Sequence, residues 1–172
     1  MGNISAIKYI DAYYFKKGER FLPYISANFK THYCVGLVGD LKSKKDFIKV
    51  LFSYSKDYKS ERGILIPKSA VVFEENNKYY RLPEENISLI NKDTPVGVWW
   101  DDITYFDGEN IPRECSKMYS EGKVLEILED RIILINPTTL NLSNKLQNHK
   151  FEEDISVVVI PRCLITGVES FK

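Results

Sequence analysis

Ile64-Leu65-Ile66-Pro67-Lys68-Ser69-Ala70-Val71 and Val158-Val159-Ile160-Pro161-Arg162-Cys163-Leu164-Ile165 follow one pattern. In each, an apolar run of β-formers is stopped by proline, a basic residue follows, and another apolar run begins. Proline has no N–H to give a ladder, so the first strand ends there. Its fixed φ starts a tight turn, and the chain re-enters the sheet at a sharp angle. The echo reads either as two copies of one device or as chance recurrence of a common strand ending. Both readings imply short strands in a sheet-dominated fold.

The neighbouring sequence agrees. Apolar runs are brief, rich in Val, Ile, Tyr and Phe, and separated by turn residues, which is a strand signature. Ala12-Tyr13-Tyr14-Phe15 and Phe21-Leu22-Pro23-Tyr24-Ile25 flank Lys16-Lys17-Gly18-Glu19, where glycine suits a left-handed turn position. The segment reads as a hairpin over 13–24; a helix over 5–17 competes, because Ile7, Ile10 and Tyr14 also fit a helical stripe. Further strands are expected at 32–38, 63–66, 70–74, 79–82, 86–90, 96–100, 103–106, 123–128, 131–136, 155–160 and 164–169. Residues 112–120 suggest one or two helical turns, and 137–154 a polar loop.

One stretch predicts a longer helix. Ser43-Lys44-Lys45-Asp46 has a capping-box pattern, and Phe47, Val50, Leu51, Tyr54 and Tyr58 follow at helical spacing. Lys42, Lys45, Lys49 and Lys56 fall on the opposite side. The expected class is α+β, mostly β: short antiparallel strands in one or two small barrels or half-barrels, with one amphipathic helix over 44–58. Asn91-Lys92-Asp93-Thr94-Pro95 is a polar break. It divides a β-rich region with the basic helix, 1–92, from a barrel-like region, 93–172. With about five short strands, the Pro161 turn and the closing Leu164-Ile165-Thr166-Gly167-Val168-Glu169, residues 96–169 resemble a small five-stranded barrel of the Sm-like kind. The resemblance is one of fold shape and implies no function.

Composition narrows the function classes. The 172 residues are 44% hydrophobic and 28% charged, as in ordinary globular chains. No run reaches the roughly 18 apolar residues of a membrane span. No apolar leader follows Met1, and Ala6 stands where a myristoylation signal wants Ser or Thr. Cys34, Cys115 and Cys163 are too few and too far apart for a disulfide framework. A cytoplasmic protein is expected, without membrane and without cofactor. Net charge is zero, yet residues 1–60 hold 11 basic against 5 acidic side chains, and residues 61–120 hold 7 against 11. That segregation suggests a basic binding face, or basic and acidic halves meeting in a homodimer.

Candidate chemistry is sparse. Gly36-Leu37-Val38-Gly39-Asp40-Leu41-Lys42-Ser43 has the placement of a phosphate loop, but Leu41 stands where the glycine before the lysine is obligatory. An anion site at the helix start, with Lys44 and Lys45, is the weaker variant. Asp101, Asp102, Glu121 and Lys123 loosely match the acid, then acid-x-lysine, set of metal-dependent nucleases, in which carboxylates hold a divalent ion. The bland reading is turn carboxylates. His32 and His149 lack the close spacing of zinc ligands. Tyr13, Tyr14, Phe15, Phe21 and Tyr24 interleave with Lys16, Lys17 and Arg20, as in proteins that stack bases on rings and track phosphates with cations. Strand alternation would equally turn half of those rings into the core. The expected function is non-enzymatic binding of a nucleic acid or an acidic protein surface by Lys16, Lys17, Arg20, Lys42, Lys44, Lys45, Lys49 and Lys56. A small metal-dependent nuclease or phosphoesterase is the alternative.

Overall fold

The structure is a computed structural model and describes residues 3–21, 29, 31–39, 44–54, 60–72, 90–143 and 154–171. Eleven strands are assigned: β1 (Asn3–Ile10), β2 (Tyr13–Lys16), β3 (Thr31–Val38), β4 (Phe47–Tyr54), β5 (Glu61–Pro67), β6 (Pro95–Asp102), β7 (Thr104–Gly108), β8 (Ser116–Ile127), β9 (Arg131–Asn141), β10 (Ile155–Pro161) and β11 (Ile165–Ser170). They form two antiparallel sheets, ordered β1-β3-β4-β5-β7 and β11-β6-β8-β9-β10-β2. Among the described residues the only helices are two 3₁₀ turns, Lys68–Ala70 and Arg162–Leu164.

The expected helix over 44–58 is replaced by β4. Lys44 to Asp46 form a bend, and the ladder begins at Phe47. Of Phe47, Val50 and Leu51 in the expected helical stripe, only Val50 is on the buried strand face, which it shares with Ile48; the two lie opposite Ile64 and Ile66 of β5. A β-branched and aromatic run with partners on both sides gains more from the ladder than from an isolated amphipathic helix. Position 58 and the capping Ser43 lie outside the described residues. The helix alternative for 5–17 also gives way to strands, and Gly18 takes the expected positive φ, 90°. The expected helical turns at 112–120 are absent, since Arg113 and Glu114 form a bend and β8 starts at Ser116. The strands expected at 79–82 and 86–90 lie outside the described residues.

The chain divides into two compact units, and neither is continuous in sequence. The first comprises Met1–Asp11, Lys30–Tyr79 and Asp102–Ser116; the second comprises Ala12–Phe29, Tyr80–Asp101 and Lys117–Lys172. The polar break at 91–95 is therefore not where one unit stops. The segment between β1 and β3 supplies β2 to the second sheet, and the segment between β6 and β7's successor β8 supplies β7 to the first. β7 pairs with β5 and β2 pairs with β10, each at a sheet end. Among the described residues the two sheets are open antiparallel sheets, not the closed barrels expected.

Each exchanged strand brings a phenylalanine into its host core. Phe106 is buried with Leu65 and Cys115; Phe15 packs on Ile133, Val157 and Val159. In the first unit a glycine makes room. A Cβ on Gly63 would sit 2.3 Å from the Val50 carbonyl oxygen and 2.8 Å from Cζ of Phe106. Gly63→Ala is expected to cost about 1–3 kcal/mol in urea unfolding, because a ladder oxygen cannot retreat. Gly39→Ala, where the nearest atom would be 3.6 Å away, is expected to stay within about 0.5 kcal/mol. Equal effects at the two glycines would contradict this packing.

The second core is closed by Trp100, which is fully buried. Its Nε1 donates to Ser120 Oγ at 3.1 Å, and Ser120 Oγ is 2.8 Å from Thr139 Oγ1. This line of hydrogen bonds satisfies the polar atoms that β6, β8 and β9 bury there.

Candidate functional site

Strand alternation that buries Val96, Val98 and Trp100 turns Gly97 and Trp99 to the other face of the second sheet. On β8 the same alternation buries Met118 and Ser120 and turns Tyr119 out. β11 lies beside β6, with Gly167 opposite Trp99 and Glu169 opposite Gly97. Two glycines thus underlie two rings. A Cβ on Gly97 would fall 2.3 Å from the Tyr119 hydroxyl and 2.8 Å from its ring, and one on Gly167 would fall 3.4 Å from Cε3 of Trp99. The absence of side chains there lets both rings lie across the neighbouring strand.

The rings meet with centroids 4.9 Å apart and planes inclined at 50°. The Tyr119 hydroxyl donates to Glu169 Oε1 at 3.1 Å. Its pKa is pushed up to about 12, first by burial, then by the hydrogen bond and charge of Glu169 and by the charge of Glu121. Glu121 and Glu169 are both exposed. Beside them Lys117 Nζ lies 2.7 Å from Asp101 Oδ1. The face therefore combines a continuous π surface with two carboxylates converging on the tyrosine hydroxyl. Ring faces carry negative potential, so the arrangement suits a cation.

The nuclease set is divided: Asp102 belongs to the first unit, and Asp101, Glu121 and Lys123 to the second. Asp101 is engaged by Lys117, while Glu121 and Lys123 are exposed on β8, opposite Thr138 and Ile135. Asp102 has altered chemistry. Its carboxyl is pushed up to about 8, first by burial and then by the charge of Asp11, with which it shares a hydrogen bond. Among the described residues no group of three or more His, Cys, Asp or Glu could hold a metal ion.

The basic set is also divided. Lys16, Lys17 and Arg20 belong to the second unit; Lys44, Lys45 and Lys49 belong to the first. Lys42 and Lys56 lie outside the described residues. Lys49 is engaged by Glu61 and stands 5.4 Å over the Phe106 ring. The interleaving also removes the charge segregation along the chain: the first unit's segments hold 12 basic against 11 acidic side chains, the second's 12 against 13.

The sequence features weighed for other chemistry have structural roles. Cys34, Cys115 and Cys163 are buried and form no disulfide with one another. Burial raises the Cys34 thiol and pushes that of Cys163 up to about 12, the opposite of activation. His32 is exposed and stacks on Tyr9 at 5.5 Å; His149 lies outside the described residues. Of the phosphate-loop stretch, Gly36 to Val38 end β3 and residues 40–43 lie outside the described residues; Lys44 and Lys45 lie in a bend before β4 and not at a helix start. Sequence reading missed Tyr119 and Glu169; the glycines at 97 and 167, each one strand away from an aromatic, were the available signal.

No helix among the described residues is long and apolar enough to cross a membrane. No family model, curated protein or solved structure matches the chain.

Proposed function

We propose that this protein is a non-enzymatic binding protein that takes a basic protein segment on the outer face of its second sheet. The observation that carries the reading is the Trp99–Tyr119 ring pair with Glu169 and Glu121 converging on the tyrosine hydroxyl. Rings offer a cation about 0.5–1 kcal/mol at exposed sites and more where water is excluded. The carboxylates add sign selectivity and steer the encounter. The near-neutral balance of each unit gives no electrostatic support to a polyanion partner, so Lys16, Lys17 and Arg20 are solvated charges in this reading.

The test is fluorescence-anisotropy titration with labelled lysine-rich, arginine-rich and acidic peptides and a single-stranded RNA, at two salt concentrations. Basic peptides are expected to bind and the acidic peptide is not. Trp99→Ala and Glu169→Gln are each expected to weaken binding roughly tenfold, a change of about 1.4 kcal/mol. Binding of RNA in preference to the basic peptides would overturn the reading and return the contact to Lys16, Lys17 and Arg20. Metal-dependent cleavage of that RNA, lost in Glu121→Gln, would overturn it in favour of the nuclease.

A further inference from the structure

The two sheets repeat one another residue by residue. Pro67 and Pro161 precede their 3₁₀ turns with φ/ψ of −53°/133° and −58°/135°, and Val71 and Ile165 follow them at −74°/129° and −73°/129°. On β5, Gly63, Ile64 and Leu65 face Phe106, Tyr105 and Thr104 of the exchanged strand. On β10, Val157, Val158 and Val159 face Phe15, Tyr14 and Tyr13. The other edge agrees: Gly63 and Ile64 pair with Leu51 and Val50, and Val157 and Val158 with Ile135 and Leu134. One strand further, Leu51 and Val50 meet Leu37 and Val38, while Ile135 and Leu134 meet Lys123 and Val124. Counted back along the chain from these pairs, Gly36 corresponds to Gly122 and Tyr33 to Tyr119, with a bulge in the β8–β9 ladder between Glu121 and Lys123. After the 3₁₀ turns, Val71 bridges to Tyr9 and Ile165 pairs with Trp100, so Lys8 corresponds to Trp99.

This correspondence puts a cation at the equivalent place. Lys8 lies directly opposite Tyr33 across β1 and β3, and its Nζ stands 5.6 Å from the centre of that ring. Tyr33 is 66% exposed, and the cross-strand pairing puts the Lys8 ammonium on the same face as that ring. In the second unit the lysine is replaced by Trp99, and Val35 is replaced by Glu121. No lysine stands at the position of Lys8, where a second ring and an anion are found instead, and the nearby Lys117 is held by Asp101. We infer that the outer tyrosines mark two copies of one cation seat, filled by the chain's own Lys8 in the first sheet and left for a partner's lysine in the second. This rests on the cation-binding reading of the Trp99–Tyr119 face and names its ligand group, a lysine ammonium presented from an extended segment.

Trp99→Lys in the full chain tests it, because it restores the internal cation. By NMR, the introduced lysine's ε-methylene protons are expected upfield, shifted by the Tyr119 ring current as those of Lys8 are by Tyr33. Binding of the lysine-rich peptide is expected to fall roughly tenfold or more, while Trp99→Phe keeps it within about threefold and both variants keep the wild-type circular dichroism. Absence of the upfield shift in a folded Trp99→Lys variant overturns the shared seat. A shift without loss of peptide binding also overturns it, because the peptide then sits elsewhere. Failure of the wild type to bind any basic peptide overturns the underlying reading instead, and with it the external ligand.

Discussion

Asp130→Ala is expected to destabilise the protein more than Arg131→Met does, although Arg131 makes the larger number of contacts. The Arg131 side chain is 3% exposed and that of Asp130 is 36% exposed. Arg131 Nε and a terminal nitrogen donate to the two Asp130 oxygens at 2.7 and 2.8 Å, a bidentate pair between chain neighbours. Its guanidinium carbon lies 4.0 Å over the Phe29 ring, and a longer bond of 3.4 Å reaches the Tyr13 hydroxyl. Burial works to lower the Arg131 pKa, yet the bond and charge of Asp130 outweigh it and the net shift is upward. Removing Asp130 takes the bidentate carboxylate away from a buried guanidinium, a loss of about 3–5 kcal/mol. Removing Arg131 frees a carboxylate that can rehydrate, so a loss of about 2–3 kcal/mol is expected, mainly from packing and hydrogen bonds. In thermal melts the Asp130→Ala shift is roughly 8–15 °C for a chain of this size. The double variant Asp130→Ala/Arg131→Met should recover part of the Asp130→Ala loss. An Asp130→Ala variant more stable than Arg131→Met would refute the buried-cation account.

Tyr13 and Phe29 lie in the segment that leaves the first unit to join the second, so Arg131 also fixes that segment in its host sheet. That role could not be read from sequence, because it depends on pairings between residues far apart in the chain. Strand existence was legible from local chemistry. The β-branched runs, the Gly18 turn and the two Pro-basic devices all appear where their residue types require them. What a strand pairs with was not legible. Tyr13–Lys16 has the same composition whether it folds onto Phe21 and its neighbours or onto β10, and the choice of β10 rests on a core 140 residues away. The same limit produced the helix at 44–58, where Phe47, Val50 and Leu51 fit a period of 3.6 while Ile48 and Val50 fit a period of 2. It also misled on charge. The basic first sixty residues are divided between units, and the exchanged strand β7 carries acidic Asp107 into the first. The candidate site was half legible: Trp99-Trp100 stands out, but only the glycines on the adjacent strands show that the outward ring has a partner.

Raising the pH from 4 to 8 is expected to destabilise the protein through Asp102, and Asp102→Asn is expected to remove that dependence. Asp11 ends the first segment of the first unit and Asp102 begins its third, and the two carboxyls share a hydrogen bond. Ionising both would place two like charges side by side, partly shielded from water, so one proton is retained. The Asp102 carboxyl is raised from 3.8 to about 8, by burial first and by Asp11 second, with only the Ile103 backbone N–H acting in the opposite direction. Because the folded pKa exceeds the unfolded one, the folded state binds more protons between those values. Stability contributed by the protonated pair is complete below about pH 4 and falls by up to about 1.4 kcal/mol per pH unit until the folded group ionises near pH 8. Asparagine keeps a donor for Asp11 without a proton to lose. Asp102→Asn should therefore match the wild type near pH 4 and exceed it by roughly 2 kcal/mol or more at pH 8. That is a gain of at least about 5 °C in melting temperature. A difference between Asp102→Asn and wild type that stays constant from pH 4 to 8 would show that the pair holds no shared proton.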